Sequence, residues 1–450
     1  YAQALELHDR HHGDERTYVA LLVGLGTAQR QTGDPAHRET LLAAAGEARS
    51  LGDTEGLVAA IFANHRGFAS DTLGIDVERL AVIEAALDAV GPEDSPQRAR
   101  LLAILAAELS YGDDARRRIA SAYEAVEIAR RLDDPYTLLA ALLGLTTSLH
   151  YFGAAPCEEA VELAQRLDDN VALGSAAATL VTESLGVGDR PRFDRAIDIC
   201  TTTAERIGQP TLVWRSMIGL VMRAVVEGEL THADELVEQH LALGIETGQP
   251  DALVLYSAAI ATIRYQQGRF SELTELIELR LADNPRVAMI RAGLLVAHLE
   301  NGDSERARSG FEREADEGFV ANDDVLRLTY LCFMAHLCAR LGERAHAGTL
   351  LSLLEPQANQ IETAAATAFY STSSCAGMLA ALLGRDNEAD RYFSQAIELT
   401  SRFRFPFLIA AAKLEWGRAL LERTPAEPDR AQPLLEEALD AARRHGFFLL

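Results

Sequence analysis

Lysine is nearly absent. All but one of the 42 basic residues are arginine, a skew that reads as genomic GC bias, and the exception, Lys413, follows Ala412. A Walker A loop needs Gly-Lys-Ser/Thr to set an ammonium against phosphates, so nucleotide hydrolysis by that route is excluded, and Schiff-base chemistry has one candidate residue. Basic charge is scarce as well: 67 acidic residues leave a formal net charge of −25, which repels phosphate backbones and anionic membrane surfaces. No contact with nucleic acid or membrane is expected from this region. The five cysteines, Cys157, Cys200, Cys332, Cys338 and Cys375, are odd in number and never in C-x-x-C spacing, which argues against a zinc or redox site and for a reducing, cytoplasmic compartment. The sequence starts without methionine and without a charged-then-apolar leader, so an excised fragment is expected. One uncharged run, Thr363 to Gly384, is long enough to span a bilayer, but Ser371, Thr372, Ser373 and Ser374 at its centre make insertion unfavourable.

Catalytic signatures are missing too. There is no H-E-x-x-H, no G-x-S-x-G and no clustering of cysteine with histidine. Asp-Asp pairs begin at Asp113, Asp133, Asp168 and Asp323, but none continues to the third acid of a magnesium-holding DDxxD motif of an all-helical terpene cyclase. Gly24-x-Gly26 opens like a dinucleotide fingerprint, yet no strand precedes it and Gln29 replaces the third glycine. His8, His11 and His12 beside Asp9 and Asp14 read either as a metal cluster or as a solvated one, with solvation favoured. The expectation is a protein without enzymatic activity, cofactor or metal.

What is present is repetition. The chain is 48% hydrophobic, ample for a folded core. Glycines recur at Gly33, Gly74, Gly112, Gly153, Gly188, Gly228, Gly268, Gly302, Gly342 and Gly384, with spacings of 34 to 42 residues. A second series of breakers falls between them, including Leu51-Gly52-Asp53, Gly91-Pro92, Asp133-Asp134-Pro135, Asp168-Asp169, Gly208-Gln209-Pro210, Gly248-Gln249-Pro250 and Asn284-Pro285. The intervals between turns are of helix length, and no sustained alternation of period two suggests a strand. After Gly384, Ala389, Phe393 and Ala396 line one helix face, and offsets of 0, 4 and 7 recur at Ile119, Tyr123 and Val126; Ala196, Cys200 and Thr203; Ala233, Val237 and His240; Ala307, Phe311 and Glu314; and Ala431, Leu435 and Ala438. Small, bulky, small at this spacing lets a second helix lie close, with the bulky side chain filling the gap. One hairpin cannot bury its apolar faces alone, but stacked neighbours can. The fold class expected is all-α, a right-handed solenoid of ten to eleven helix-turn-helix repeats of about 40 residues. It would run as one domain over 1–450, with 1–14 the tail of a preceding repeat and 405–450 a capping repeat. The apolar ending, Phe447 to Leu450, would fold back or meet a partner.

These residues resemble tetratricopeptide repeats, whose second helix carries the pattern of Ala389, Phe393 and Ala396 and whose helices are split by a glycine like Gly384. The longer period, the stretch Leu25 to Asp34, Asn64-His65-Arg66-Gly67-Phe68 and the Gly-Gln-Pro junctions at Gly208 and Gly248 are similar to MalT-like sensor arms of bacterial AAA/STAND-ATPase regulators of LuxR-type, SARP-type or cyclase-linked kind. The resemblance implies a non-catalytic sensor or scaffold that binds an effector or partner protein in a superhelical groove and communicates with an upstream ATPase or output domain. The alternative is a stand-alone interaction scaffold. No ATPase, helix-turn-helix or cyclase lies in these residues.

The resemblance also places the groove on the first helix of each pair, at positions 2, 5, 9, 12 and 13 when the turn glycine is 15. Counted back from successive glycines, this gives His150 and Tyr151; Arg215 and Met222; Thr262, Tyr265 and Gln266; Thr329, His336 and Arg340; and Ser371, Ser374 and Met378. Arginine, tyrosine and histidine there would bind carboxylates, phosphates, sugars or peptide backbones; otherwise they make interhelix hydrogen bonds. Thr363, Thr367, Ser371 and Ser374 would form a hydroxyl stripe on one helix face, serving a polyhydroxyl ligand or close packing, with packing favoured. Asn64 to Phe68 is either a docking surface or a kink, with packing again favoured. A deep, closed groove lined by Tyr265, Arg215 and His336 would favour a small-molecule effector, and an open acidic one a protein partner.

Overall fold

The turn residues sit where helices end. In the computed structural model the repeat glycines from Gly153 to Gly384 take φ between 64° and 98°, the left-handed conformation that closes a helix at little steric cost to glycine. Aspartates of the second breaker series do two jobs. Asp133 and Asp168 themselves enter the left-handed region, while their neighbours Asp134 and Asp169 accept the N–H groups of Thr137 and Ala172 as N-caps. Asp114 likewise caps its helix through Arg117. Asp114, Asp134 and Asp169 are thus committed to helix starts, while Asp113 and the pair at Asp323 lie outside the described residues.

The structure describes all residues except 2, 6, 8–13, 33, 66–73, 113, 150–152, 250, 322–325, 364–367 and 449–450. The histidine cluster near the start, most of the Asn64 to Phe68 stretch, His150 and Tyr151 therefore lie outside the described residues, as does Thr367. The α-helices are α1 (Glu15–Gln31), α2 (His37–Ser50), α3 (Thr54–Ala63), α4 (Val77–Val90), α5 (Pro96–Glu108), α6 (Ala115–Leu132), α7 (Pro135–Ser148), α8 (Ala155–Arg166), α9 (Asn170–Gly186), α10 (Arg190–Ile207), α11 (Pro210–Glu227), α12 (Leu230–Glu246), α13 (Ala252–Gln266), α14 (Thr274–Asp283), α15 (Ala288–Glu300), α16 (Ser304–Asp316), α17 (Arg327–Leu341), α18 (Arg344–Leu354), α19 (Thr372–Leu382), α20 (Asp386–Phe403), α21 (Pro406–Glu422) and α22 (Pro428–His445). Among the described residues no strand forms, and one isolated bridge pairs Ile361 with Ser371. The fold is an all-α solenoid of helix hairpins.

The chain divides into two compact units, one of residues 1–179, 202–214 and 241–253, the other of 180–201, 215–240 and 254–450. In the first, α1 to α7 pack each on the next and, where the faces allow, on the next but one, the nearest-neighbour pattern of a repeat array. Val19, Leu22, Leu57, Ile61, Ile83, Leu101 and Leu105 form a continuous core there. Gly144 shows how close the helices come: a Cβ built on it would stand 2.8 Å from the backbone carbonyl oxygen of Ala103, bringing α7 against α5. Because backbone cannot step aside as a side chain can, Gly144→Val is expected to destabilise the first unit by about 3 kcal/mol, read as a lowered urea midpoint.

The second unit follows the same rule from α14 to α22. It also closes on itself. Arg402 donates to the carbonyl oxygens of Val187 at 3.1 Å and Gly188 at 3.3 Å, and Phe193 meets Phe403 with ring centroids 5.3 Å apart. Phe447 is buried against Phe407, centroids 5.3 Å apart, so that part of the apolar ending folds back, whereas Phe448 is exposed.

Two sequence expectations need correction. In α6 the buried face carries Ala122, Ala125 and Ala129, while Ile119 and Tyr123 are exposed, so the small-bulky-small register proposed for Ile119, Tyr123 and Val126 is displaced. The other five sets follow the expected face: Ala389, Phe393 and Ala396 are fully buried, for example. The uncharged run from Thr363 is not one helix. Helix α19 begins at Thr372, with Ser371 as its N-cap, and the residues described before it are irregular, so no helical hydroxyl stripe joins Thr363 to Ser374. No helix among the described residues is long and apolar enough to cross a membrane.

Candidate functional site

Most connections in the second unit are short: Gly342 and Glu343 join α17 to α18, and Arg404 and Phe405 join α20 to α21. The connection between α18 and α19 is the longest, running from a short 3-10 turn at Glu355–Gln357 to Ser371. It is tied down by its own polar groups. Ile361 N–H donates to the Gly186 carbonyl at 2.9 Å, and Thr372 Oγ1 donates to the carbonyl oxygens of Gln357 at 2.6 Å and Gln360 at 3.0 Å. Glu362, fully buried, accepts the Thr329 hydroxyl at 2.6 Å on one oxygen and the N–H groups of Phe369 and Tyr370, the latter at 3.2 Å, on the other.

That anchoring places Phe369 and Tyr370 in an aromatic cluster. The ring of Tyr265, from α13, stands edge-on to Phe369, Tyr370, Phe270 and Phe407 at centroid distances of 5.4 to 5.9 Å. Its hydroxyl pairs with that of Tyr370 at 2.8 Å, so neither phenol is buried without a partner. Burial raises both phenols well above their ordinary range, and they remain neutral.

Beside the cluster lies a cavity of about 250 Å³. Its walls come from the odd-numbered helices: Tyr265 of α13, Leu299 and Glu300 of α15, His336 and Arg340 of α17, Ser374 and Met378 of α19, Ala411 and Glu415 of α21, closed by Phe369 and Tyr370. These are the first helices of successive hairpins. Of the groove residues expected from sequence, Tyr265, His336, Arg340, Ser371, Ser374 and Met378 come together in it. Thr262, Gln266, Thr329 and Met222 are buried away from the cavity, and Arg215 does not line it.

The electrostatics of the lining follow from the burial of its groups. Burial, with help from Arg340 and Arg418, pushes the His336 imidazole down to about 3, so the ring is neutral at physiological pH. Burial lifts Glu300 to about 7, partly offset by the backbone of Ser271 and Phe270 at the start of the 3-10 turn Phe270–Leu273. Arg340 pairs with Glu415 at 2.7 Å, and Arg418 joins the same carboxylate at 3.1 Å. Ser371 Oγ is used to cap α19, accepting the Ser374 N–H at 3.3 Å. Among the described lining groups no nucleophile is hydrogen-bonded to a base. Lys413 is spent in an ion pair with Glu437, all five cysteines are buried and none forms a disulfide, and no metal-holding cluster occurs among the described residues.

Leu299 and Glu300 were missed in the sequence although the signal was available. Counting back from Gly302 by the rule used for the other glycines gives these two residues at positions 12 and 13. Phe369 and Tyr370 had no such signal, because they belong to a connection outside the repeat.

Comparison with known proteins adds little to this description. No family model matches the chain, and no curated protein matches it. Among solved structures it is similar to a chain described as a "Circular tandem repeat protein with novel repeat topology and enhanced subunit contact surfaces", at 17% identity over 98% of this chain and 88% of that one, with a TM-score of 0.15. The all-α repeat fold therefore rests on the helices themselves.

Proposed function

We propose that the chain is a sensor module in which a small-molecule effector occupies the cavity of the second unit. The observation that carries this reading is the convergence of His336, Arg340, Glu300 and Ser374 on one partly enclosed space walled by aromatic rings. A protein-docking scaffold would be served by an open face, whereas these groups line a partly enclosed recess. Five successive hairpins contribute to the walls, so a ligand that prefers one setting of their angles biases every interface it spans. In keeping with the tetratricopeptide-like sequence pattern, the occupant would signal to an upstream ATPase or output domain, and the module would itself do no chemistry.

A thermal-shift screen against a metabolite panel tests this reading, with Ala411→Trp and Ser374→Phe as cavity-filling variants. A true effector at a hundredfold excess over its Kd stabilises by about 2.7 kcal/mol, and both variants should lose that shift while keeping their own cooperative melt. If no compound stabilises the protein, or if stabilising compounds act equally on the filled variants, the cavity is not the effector site.

A further inference from the structure

The chemical class of the occupant can be read from what the lining has left unsatisfied, granting the proposal that the cavity is an effector site. Glu300 is the place to start. The backbone at Phe270 and Ser271, on the 3-10 turn, favours its ionised form, yet no side chain among the described residues pairs with it, and Oε1 is sealed in without a hydrogen-bond partner. No arginine or lysine supports its charge: burial and the two backbone groups are all that act on it. The only basic side chain in the lining, Arg340, is already engaged with Glu415.

The remaining walls agree with that charge balance. Tyr265, Phe369, Tyr370 and Phe407 surround the space with aromatic rings, and Glu300 shares the lining with them. An ammonium is attracted both by an unpaired carboxylate and by ring faces, and a dry site strengthens both terms. A carboxylate or phosphate would meet Glu300 and Glu415 with no free cation to receive it. A neutral ligand without a donor would leave the Glu300 carboxylate unpaired.

We infer that the cavity takes an organic amine, its ammonium on the Glu300 carboxylate and its apolar body among Tyr265, Phe369, Tyr370 and Phe407. His336, neutral in this setting, adds no opposing charge. Because Glu300 sits near neutrality when the site is empty, pairing with an ammonium ionises it, so binding at slightly acid pH releases a proton. The other ionisable groups facing Glu300 across the cavity are Tyr265, Tyr370, His336, Arg340 and Glu415, and the two phenols and the imidazole hold their neutral forms there.

Three probes on one skeleton decide the matter: tryptamine, tryptophol and indole-3-propionate, titrated calorimetrically into the full chain and into Glu300→Gln. Tryptamine is expected to bind about tenfold or more tighter than the other two. That preference should collapse in Glu300→Gln, whose side-chain carbonyl still caps the 3-10 turn. Tryptamine binding at pH 6.5 should also show proton release when buffers of different ionisation enthalpy are compared, a readout that needs no variant. If tryptophol or indole-3-propionate binds as tightly as tryptamine and Ala411→Trp blocks it, the amine inference is overturned while the effector cavity stands. Failure of all three, with a panel compound lacking an amine blocked by Ala411→Trp, overturns the inference alone. Failure of the three and of the whole panel overturns both.

Discussion

Glu362→Ala is expected to lower the unfolding free energy of the second unit by about 4 kcal/mol, because three donors lose their acceptor in a place water does not reach. The hydroxyl of Thr329 and the N–H groups of Phe369 and Tyr370 all end on this carboxylate. Without it the connection before α19 loses the link that holds it to α17, and the Tyr265–Tyr370 hydroxyl pair loses one of its supports. Differential scanning calorimetry or urea titration followed by tyrosine fluorescence measures the loss. A ΔΔG under about 1 kcal/mol would mean that the segment holds its place by aromatic packing alone.

Glu362→Gln separates charge from geometry in the same place. The amide keeps one acceptor for the two backbone N–H groups and can donate to Thr329 from the other end. Burial raises the native carboxyl to about 7, against the hydrogen bonds that pull it down. A carboxyl whose folded pKa is raised contributes fully below the unfolded value, near 4.5, and its contribution is lost as pH rises through the folded value. A shift of this size is on the order of 3 kcal/mol. The stability of wild type relative to Glu362→Gln should therefore fall between pH 5 and pH 8. A difference that stays flat over that window would show the carboxyl to titrate normally.

The helices were legible because each repeat needs the same two things, a turn and a buried face. Gly302, Gly342 and Gly384 mark turns by necessity, since a left-handed residue is needed there, and Ala389, Phe393 and Ala396 mark a face by spacing. In α6, by contrast, three alanines fill the close contact, and the larger Ile119 and Tyr123 turn outward. Size was the misleading cue. The cavity was half legible: positions on first helices could be counted from the turn glycines, so Tyr265, His336, Arg340, Ser374 and Met378 could be named together. Its other half comes from two things a repeat rule does not encode. One is the last hairpin, whose α21 supplies Phe407, Leu408, Ala411 and Glu415 although its turn departs from the glycine rule, and the other is the inserted connection that carries Phe369 and Tyr370.

Asp390→Ala should act at the end of the array and stay there. Asp390 lies on α20 and receives three donors: the Trp416 indole at 2.6 Å, Arg423 at 2.5 Å and Arg430 at 2.8 Å. Arg423 is nearly buried, at 7% side-chain exposure, and retains Glu427 at 2.7 Å when Asp390 is gone, so its charge is only partly orphaned. The expected cost is about 3 kcal/mol, at the low end for breaking a buried pair. Burial raises the Asp390 carboxyl, but Arg423, Arg430 and the indole outweigh it and hold the pKa below the usual carboxylate value. A depressed carboxyl stabilises above its unfolded pKa and ceases to do so as pH falls through the folded one, so the difference between wild type and Asp390→Ala should close in strong acid. In a chain of nearest-neighbour contacts the loss is local: amide exchange should accelerate in α21 and α22 while α1 to α7 keep their protection. Adding Arg423→Ala should cost less than it does alone, because the charge that needed Asp390 is then gone. If the two losses simply add, the ion pair is not what ties the last hairpin to α20, and the packing of Phe393 on Trp416, with centroids 6.2 Å apart, carries that contact instead.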